Sequence, residues 1–106
     1  MAELDDGPAE LSIETVPGPT PVIRLSGELD SSNVGRLEAT VASVLKAPPE
    51  RVVFEMSELR FMDSAGISVL VRLAAEVEQV EIRDPSPIIR RVIEVTGLTG
   101  VLQVEP

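Results

Sequence analysis

Four residues between a β-like run and a helix-like run carry the chain's most concentrated chemical potential: Asp63-Ser64-Ala65-Gly66, inside "RFMDSAGISVLV". Junctions of this kind are where α/β proteins often place their chemistry. A serine opening a helix has its hydroxyl near backbone N–H groups that lack helical partners, and the helix macrodipole adds about half a positive charge there. Such a serine can cap the helix, attack as a nucleophile, or carry a phosphoryl group that those donors partly stabilise. Nucleophilic attack needs a base. The chain contains no histidine and no cysteine, so Ser-His-Asp and Cys-His systems, the usual zinc ligands and thiol redox chemistry are all excluded. Only carboxylates, Ser, Thr, Lys and Arg remain for catalysis. The enzyme reading that survives is a Mg²⁺ site drawn from the hard oxygen donors of Asp30, Glu55 and Asp63. Gly66, lacking a Cβ, would let another backbone approach closely.

Composition limits the partners. The chain has 106 residues, 43% of them apolar, with two Phe, no Tyr and no Trp; this fits one small domain around one aliphatic core. Its net charge of −9, with no basic cluster beyond Arg90 and Arg91, argues against nucleic acid and anionic lipid. No apolar run approaches the roughly 20 residues of a membrane helix, and "MAELDDG" is acidic where a secretory signal would be basic and then apolar. A cytoplasmic protein without membrane insertion, metal or other cofactor is expected, monomeric when free.

The elements that must position the tetrapeptide follow from periodicity. Residues 1–9 read as a flexible lead-in and 10–106 as the domain. "LSIETV" alternates as a half-exposed strand, "PGPT" turns, and "PVIRLSGELD" supplies a second strand ending near Gly27, so the domain opens with a β-hairpin. Ser31 and Ser32 offer an N-cap to a helix striped by Val34, Leu37, Val41, Val44 and Leu45, which "APPE" stops. "RVVFEM" has the continuous apolar character of a central strand. A second helix starts at Ser64, with Ile67, Leu70, Val71, Ala74 and Val77 as its stripe; Val69 and Leu73 widen that stripe, either toward a partner or into a deeply buried position. "VEIR" gives another strand. Ser86 as cap, Pro87 at the first helical position and Gly97 past the end punctuate a third helix, with Arg90 and Arg91 on its solvated side. "VLQVE" closes the chain. The order β-β-α-β-α-β-α-β predicts an α/β fold with a mixed, mostly parallel sheet of about four to five strands flanked by helices.

Three stretches in order, "LSGELD" at 25–30, "RVVFEMSELRFMDSAG" at 51–66 and "DPSPIIRRVIEVTGL" at 84–98, resemble the STAS family, specifically bacterial anti-sigma-factor antagonists. The resemblance runs from about Leu11 to the end. It implies a STAS-like fold, no catalytic activity, and phosphorylation at Ser64. It further implies that the unphosphorylated form binds an anti-sigma factor of the GHKL serine kinase type and frees a sigma factor. The partner's phosphorylation of Ser64 would end that complex, and a metal-dependent serine phosphatase would restore it. Asp30, Ser57, Asp63, Ser64, Ala65 and Gly66 become the expected partner contacts. The span from Gly66 to Asp84 is shorter than is customary in the family, and Glu55 stands where an aspartate is common. Related STAS subunits that bind the ATPase of ABC-type lipid transport systems supply the alternative, in which Ser64 carries no phosphate.

Overall fold

The computed structural model describes residues 10–105; the expected lead-in at 1–9 lies outside them. The described chain forms β1 (Leu11–Val16), β2 (Val22–Leu29), α1 (Val34–Val44), β3 (Arg51–Met62), α2 (Ser64–Ala74), β4 (Gln79–Arg83), α3 (Pro87–Val95), a short 3₁₀ turn at Leu98–Gly100, and β5 (Gln103–Glu105). The strands lie side by side in sequence order. β1 runs antiparallel to β2, and every later pair is parallel. The expected hairpin, strand order and central place of β3 are therefore all present.

Two strands run further than their composition suggests. β2 continues past Gly27 to Leu29, and β3 continues through Ser57, Glu58 and Arg60 to Met62. The partner register explains why "SELR" resembles a loop. Arg24 pairs with Glu55 but Ser26 with Glu58, and Gly27 pairs with Leu59 but Glu28 with Phe61, so β3 holds an extra residue at two places. Each bulge turns the following side chain over. Buried positions consequently fall at Met56, Leu59 and Met62, a spacing of three that hides the strand's period of two. Gly27 has φ of +97°, and a Cβ there would collide with the Glu10 carbonyl oxygen, which accepts the Glu28 N–H at 2.8 Å.

One side of the sheet is apolar. Ile23, Leu25, Val52, Phe54, Val80 and Ile82 join a single cluster with Leu37 and Val41 of α1, Leu70 and Leu73 of α2, and Ile89 and Ile93 of α3. The opposite side is charged. Cross-strand register places Glu14 beside Arg24, Arg24 beside Glu55, Glu55 beside Arg83 and Arg83 beside Glu105. Carboxylate and guanidinium thus alternate in one row across the whole sheet. Two residues before Arg83 in β4, Glu81 is buried and held by Arg51 at 2.6 Å and Arg83 at 3.0 Å. Burial pushes its carboxyl upward, but the hydrogen bonds from Arg83 and Arg51 outweigh that and hold it below the usual glutamate value.

Three local expectations change. Ser31 and Ser32 do not cap α1: they lie in a turn before Asn33, the residue at the cap position. Asp30 has claimed Ser32 instead, accepting its N–H at 2.9 Å and its hydroxyl at 2.6 Å. On α2 the buried set is Gly66, Ile67, Val69, Leu70 and Leu73, whereas Val71 is exposed. The widened stripe is core, rotated from the face that includes Val71. Finally, α2 ends at Ala74 with Ala75 as its C-cap, so Val77, expected on its stripe, lies beyond the helix, and the short Gly66 to Asp84 span is met by the helix's early end. For α3, Ser86 caps through its side chain to the Ile89 N–H, and Gly97 follows in the left-handed conformation.

Candidate functional site

The site forms where two parallel strands end together. Leu29 and Met62 are the last register partners of β2 and β3, so Asp30 and Asp63 leave neighbouring strands at the same level. The Asp63 N–H donates to the Leu29 carbonyl at 3.1 Å, stitching the two exits. Adjacent strands lie about 4.8 Å apart, which brings the backbones of both aspartates to the entrance of α2.

Each residue there has a distinct task. Asp63 is the N-cap of α2, extended in backbone, and its carboxylate accepts the Ala65 N–H at 2.9 Å. Its main-chain carbonyl accepts the Ile67 N–H, the first turn of the helix. Ser64 is therefore the first helical residue rather than the cap, and it is exposed. Its hydroxyl has no hydrogen bond among the described residues, which leaves it available to solvent or to another molecule. Ala65 is half-buried. Gly66 is buried, and a Cβ there would stand 2.7 Å from both Leu29 Cδ2 and Met62 Cγ. Its small size thus admits side chains from the two strand ends, not a passing backbone as the sequence alone suggested.

Asp30 is half-exposed. Hydrogen bonds from the Ser32 hydroxyl and the Ser32 N–H favour its ionised form and lower its pKa from the ordinary aspartate value. Asn33, buried behind it, accepts the Asp30 N–H at 3.0 Å and donates to the Glu28 carbonyl at 2.9 Å. Sequence reasoning missed Asn33 because the Asp30 N–H and the Glu28 carbonyl that it meets are main-chain groups, which residue type does not announce. The result is a hydrogen-bonded acidic turn at the end of β2, next to the strand that leads into α2.

Ser57 lies elsewhere. It occupies the first bulge of β3, with its N–H bonded to Glu55 at 2.8 Å, and the strand separates it from Ser64 by roughly 20 Å at about 3.3 Å per residue. The hypothetical Mg²⁺ trio is not assembled either. Glu55 lies within the charged row between Arg24 and Arg83, and among the described residues no group of three or more acids is placed to hold a metal ion. Asp30, Asp63, Ser64, Ala65 and Gly66 are the members of the expected set that the fold brings together. The chemistry this arrangement offers is acceptance of a group on the Ser64 oxygen, with helix N–H groups on one side and two carboxylates nearby.

Comparison with known proteins agrees in fold and length. A family model described as "Mlab, STAS domain" matches residues 14–104. The anti-sigma F factor antagonist of Lysinibacillus sphaericus is 34% identical over 91 residues, covering 81% of this chain and 78% of the relative. The solved structure of the anti-sigma factor antagonist SpoIIAA in its unphosphorylated form superposes with a TM-score of 0.75 at 28% identity, covering 90% of this chain and 87% of that one. The structure of the Bacillus cell fate determinant SpoIIAA in its phosphorylated form superposes at 0.68, with 28% identity and 90% coverage of both chains.

Proposed function

The chain belongs to the STAS domain family, and from that premise we propose that it is an anti-sigma factor antagonist switched by phosphorylation of Ser64. In its unmodified form it binds an anti-sigma factor of the GHKL serine kinase type and so frees a sigma factor. Phosphorylation by that partner dissolves the complex, and a metal-dependent serine phosphatase reverses the mark. The domain itself acts as a binding protein rather than an enzyme. The names of its relatives support the antagonist role, and the existence of a similar protein in phosphorylated and unphosphorylated forms supports a modification switch.

One observation carries the assignment to Ser64: it is the exposed first residue of α2, displaced by one position from the capping role that Asp63 fills. A serine that must cap its helix could not be modified without loss of the cap; this one can. Modification would add about −1.5 to −2 charge next to Asp63 and across from ionised Asp30. That negative charge opposes closure of an interface over the two strand ends. A difference of about 3 kcal/mol at such an interface changes affinity by about 100-fold.

The test uses wild type, Ser64→Ala and Ser64→Asp as parallel baits in native-host lysate, read by mass spectrometry. Wild type and Ser64→Ala should retain a small histidine-kinase-like ATPase that Ser64→Asp loses. Purified partner and ATP should phosphorylate wild type on Ser64 and leave Ser64→Ala unmodified. Retention of the same kinase by all three baits would overturn the switch. Retention of a transporter ATPase by all three would move the function to transport.

A further inference from the structure

The charged row of the sheet ends in a carboxylate at its β1 edge, and among the described residues no strand pairs with the outer side of β1. From β5 inward the row reads Glu105, Arg83, Glu55, Arg24, Glu14, so the next place in the alternation, beyond β1, calls for a positive charge. Natural sheets blunt edge strands with charged side chains, proline, bulges, covering elements or very short length. β1, "LSIETV", has no proline and no bulge over its six residues, and its one charged side chain is Glu14, so the edge repels acidic strands and leaves a basic one admissible.

The free hydrogen-bonding groups can be assigned. The Glu28 N–H donates inward to the Glu10 carbonyl. Because antiparallel strands alternate their bonding direction, Ser12 and Glu14 also face β2, while Leu11, Ile13 and Thr15 present N–H and C=O outward. The Leu11 carbonyl is already taken by the Arg36 guanidinium at 2.7 Å. Ile13 and Thr15 remain, flanking Glu14. In an antiparallel docking, the residue opposite Glu14 would occupy a non-hydrogen-bonded pair, where side chains approach most closely.

We infer that the outer edge of β1 accepts an extended segment of another protein, paired antiparallel with Ile13 and Thr15 and carrying a basic residue opposite Glu14. This surface is separate from Ser64, and its occupancy does not depend on that residue's state.

The probe is a dye-labelled, acetylated and amidated peptide, Ser-Thr-Val-Lys-Val-Thr-Ser, measured by fluorescence anisotropy at physiological ionic strength. The same peptide with Glu in place of Lys serves as the comparison. Wild type should bind the Lys peptide about tenfold more tightly than the Glu peptide, as expected for an opposite-charge pair against a like-charge pair. Thr15→Pro removes an outward N–H without touching the β1–β2 ladder, and it leaves the net charge of −9 unchanged; proline is tolerated at such edge positions. It should weaken Lys-peptide binding at least about tenfold with far-UV circular dichroism unchanged. Glu14→Lys, an exposed substitution, should reverse the preference between the two peptides. Equal binding of both peptides to wild type, or undiminished binding to Thr15→Pro, overturns the inference. So does a wild-type dimer in sedimentation that Thr15→Pro dissociates, because a second copy would then own the edge.

Discussion

Gly66 and Asp63 fix the geometry of the proposed switch by opposite means, one by lacking a side chain and one through its carboxylate. Gly66→Ala would force a methyl group to within 2.7 Å of Leu29 and Met62, both buried, so neither can swing into solvent. Overpacking of this kind costs about 1–3 kcal/mol, and urea unfolding should show a midpoint lowered accordingly with an unchanged slope. The Asp63 carboxylate makes one replaceable bond, to the Ala65 N–H. Asp63→Ala should cost about 1 kcal/mol, while Asp63→Asn should recover most of it; equal losses for the two would assign the effect to charge rather than to capping. At this scale the sequence was informative where a rule is local. Ser86, Pro87 and Gly97 follow from helix-end chemistry alone and occupy their expected places. Ser31 and Ser32 do not, because a stronger local competitor, the Asp30 carboxylate, captures Ser32 before α1 begins.

Element boundaries depend on partners, and that is where sequence periodicity is weakest. β3 buries Met56, Leu59 and Met62 because its bulges are set by pairing with β2; no pattern within β3 itself announces them. The charged row is hidden for the same reason, since it needs strand order and register together. Buried Glu81 belongs to this scale as well, tying β3 to β4 through Arg51 and its own strand through Arg83. Its folded pKa lies below its ordinary value, with the two arginines outweighing burial. Stability from this contact is therefore complete above the unfolded glutamate pKa of about 4.3 and is lost as pH falls through the lower folded value. Glu81→Gln should be less stable than wild type at neutral pH by about 1–3 kcal/mol, the scale of a hydrogen bond to a charged group. Between about pH 5 and pH 3 it should lose less further stability than wild type, so that the two melting curves converge on acidification. A constant gap across that range would mean that the contact stabilises by packing and not by charge.

Taken whole, the molecule separates what keeps it folded from what its proposed switch would change. The core lies between the apolar side of the sheet and the helices, whereas Ser64 is exposed at the strand ends. An acid at the start of α2 gains about 0.3–1 kcal/mol from the helix dipole, and repulsion from Asp63 and Asp30 offsets part of that. Ser64→Asp should therefore melt within about 4 °C of wild type, given that 1 kcal/mol moves a domain of this size by roughly 4–8 °C. Any large loss of partner binding by this variant would then be an interface effect. Its physical origin can also be separated. The chain carries a net charge of −9 before modification, and charges near the protein surface are screened over about 10 Å at 0.1 M salt and about 3 Å at 1 M. If release comes from repulsion of carboxylates and phosphate at the strand ends, the ratio of wild-type to Ser64→Asp affinity for the anti-sigma factor should shrink as salt rises. If release comes instead from burying a charge that finds no partner, that ratio should hold constant, because desolvation inside a closed interface is little affected by ions outside it. The disposition of Asp30 and Asp63 at the exits of adjacent strands favours the first result, and calorimetric titration at two salt concentrations decides between them.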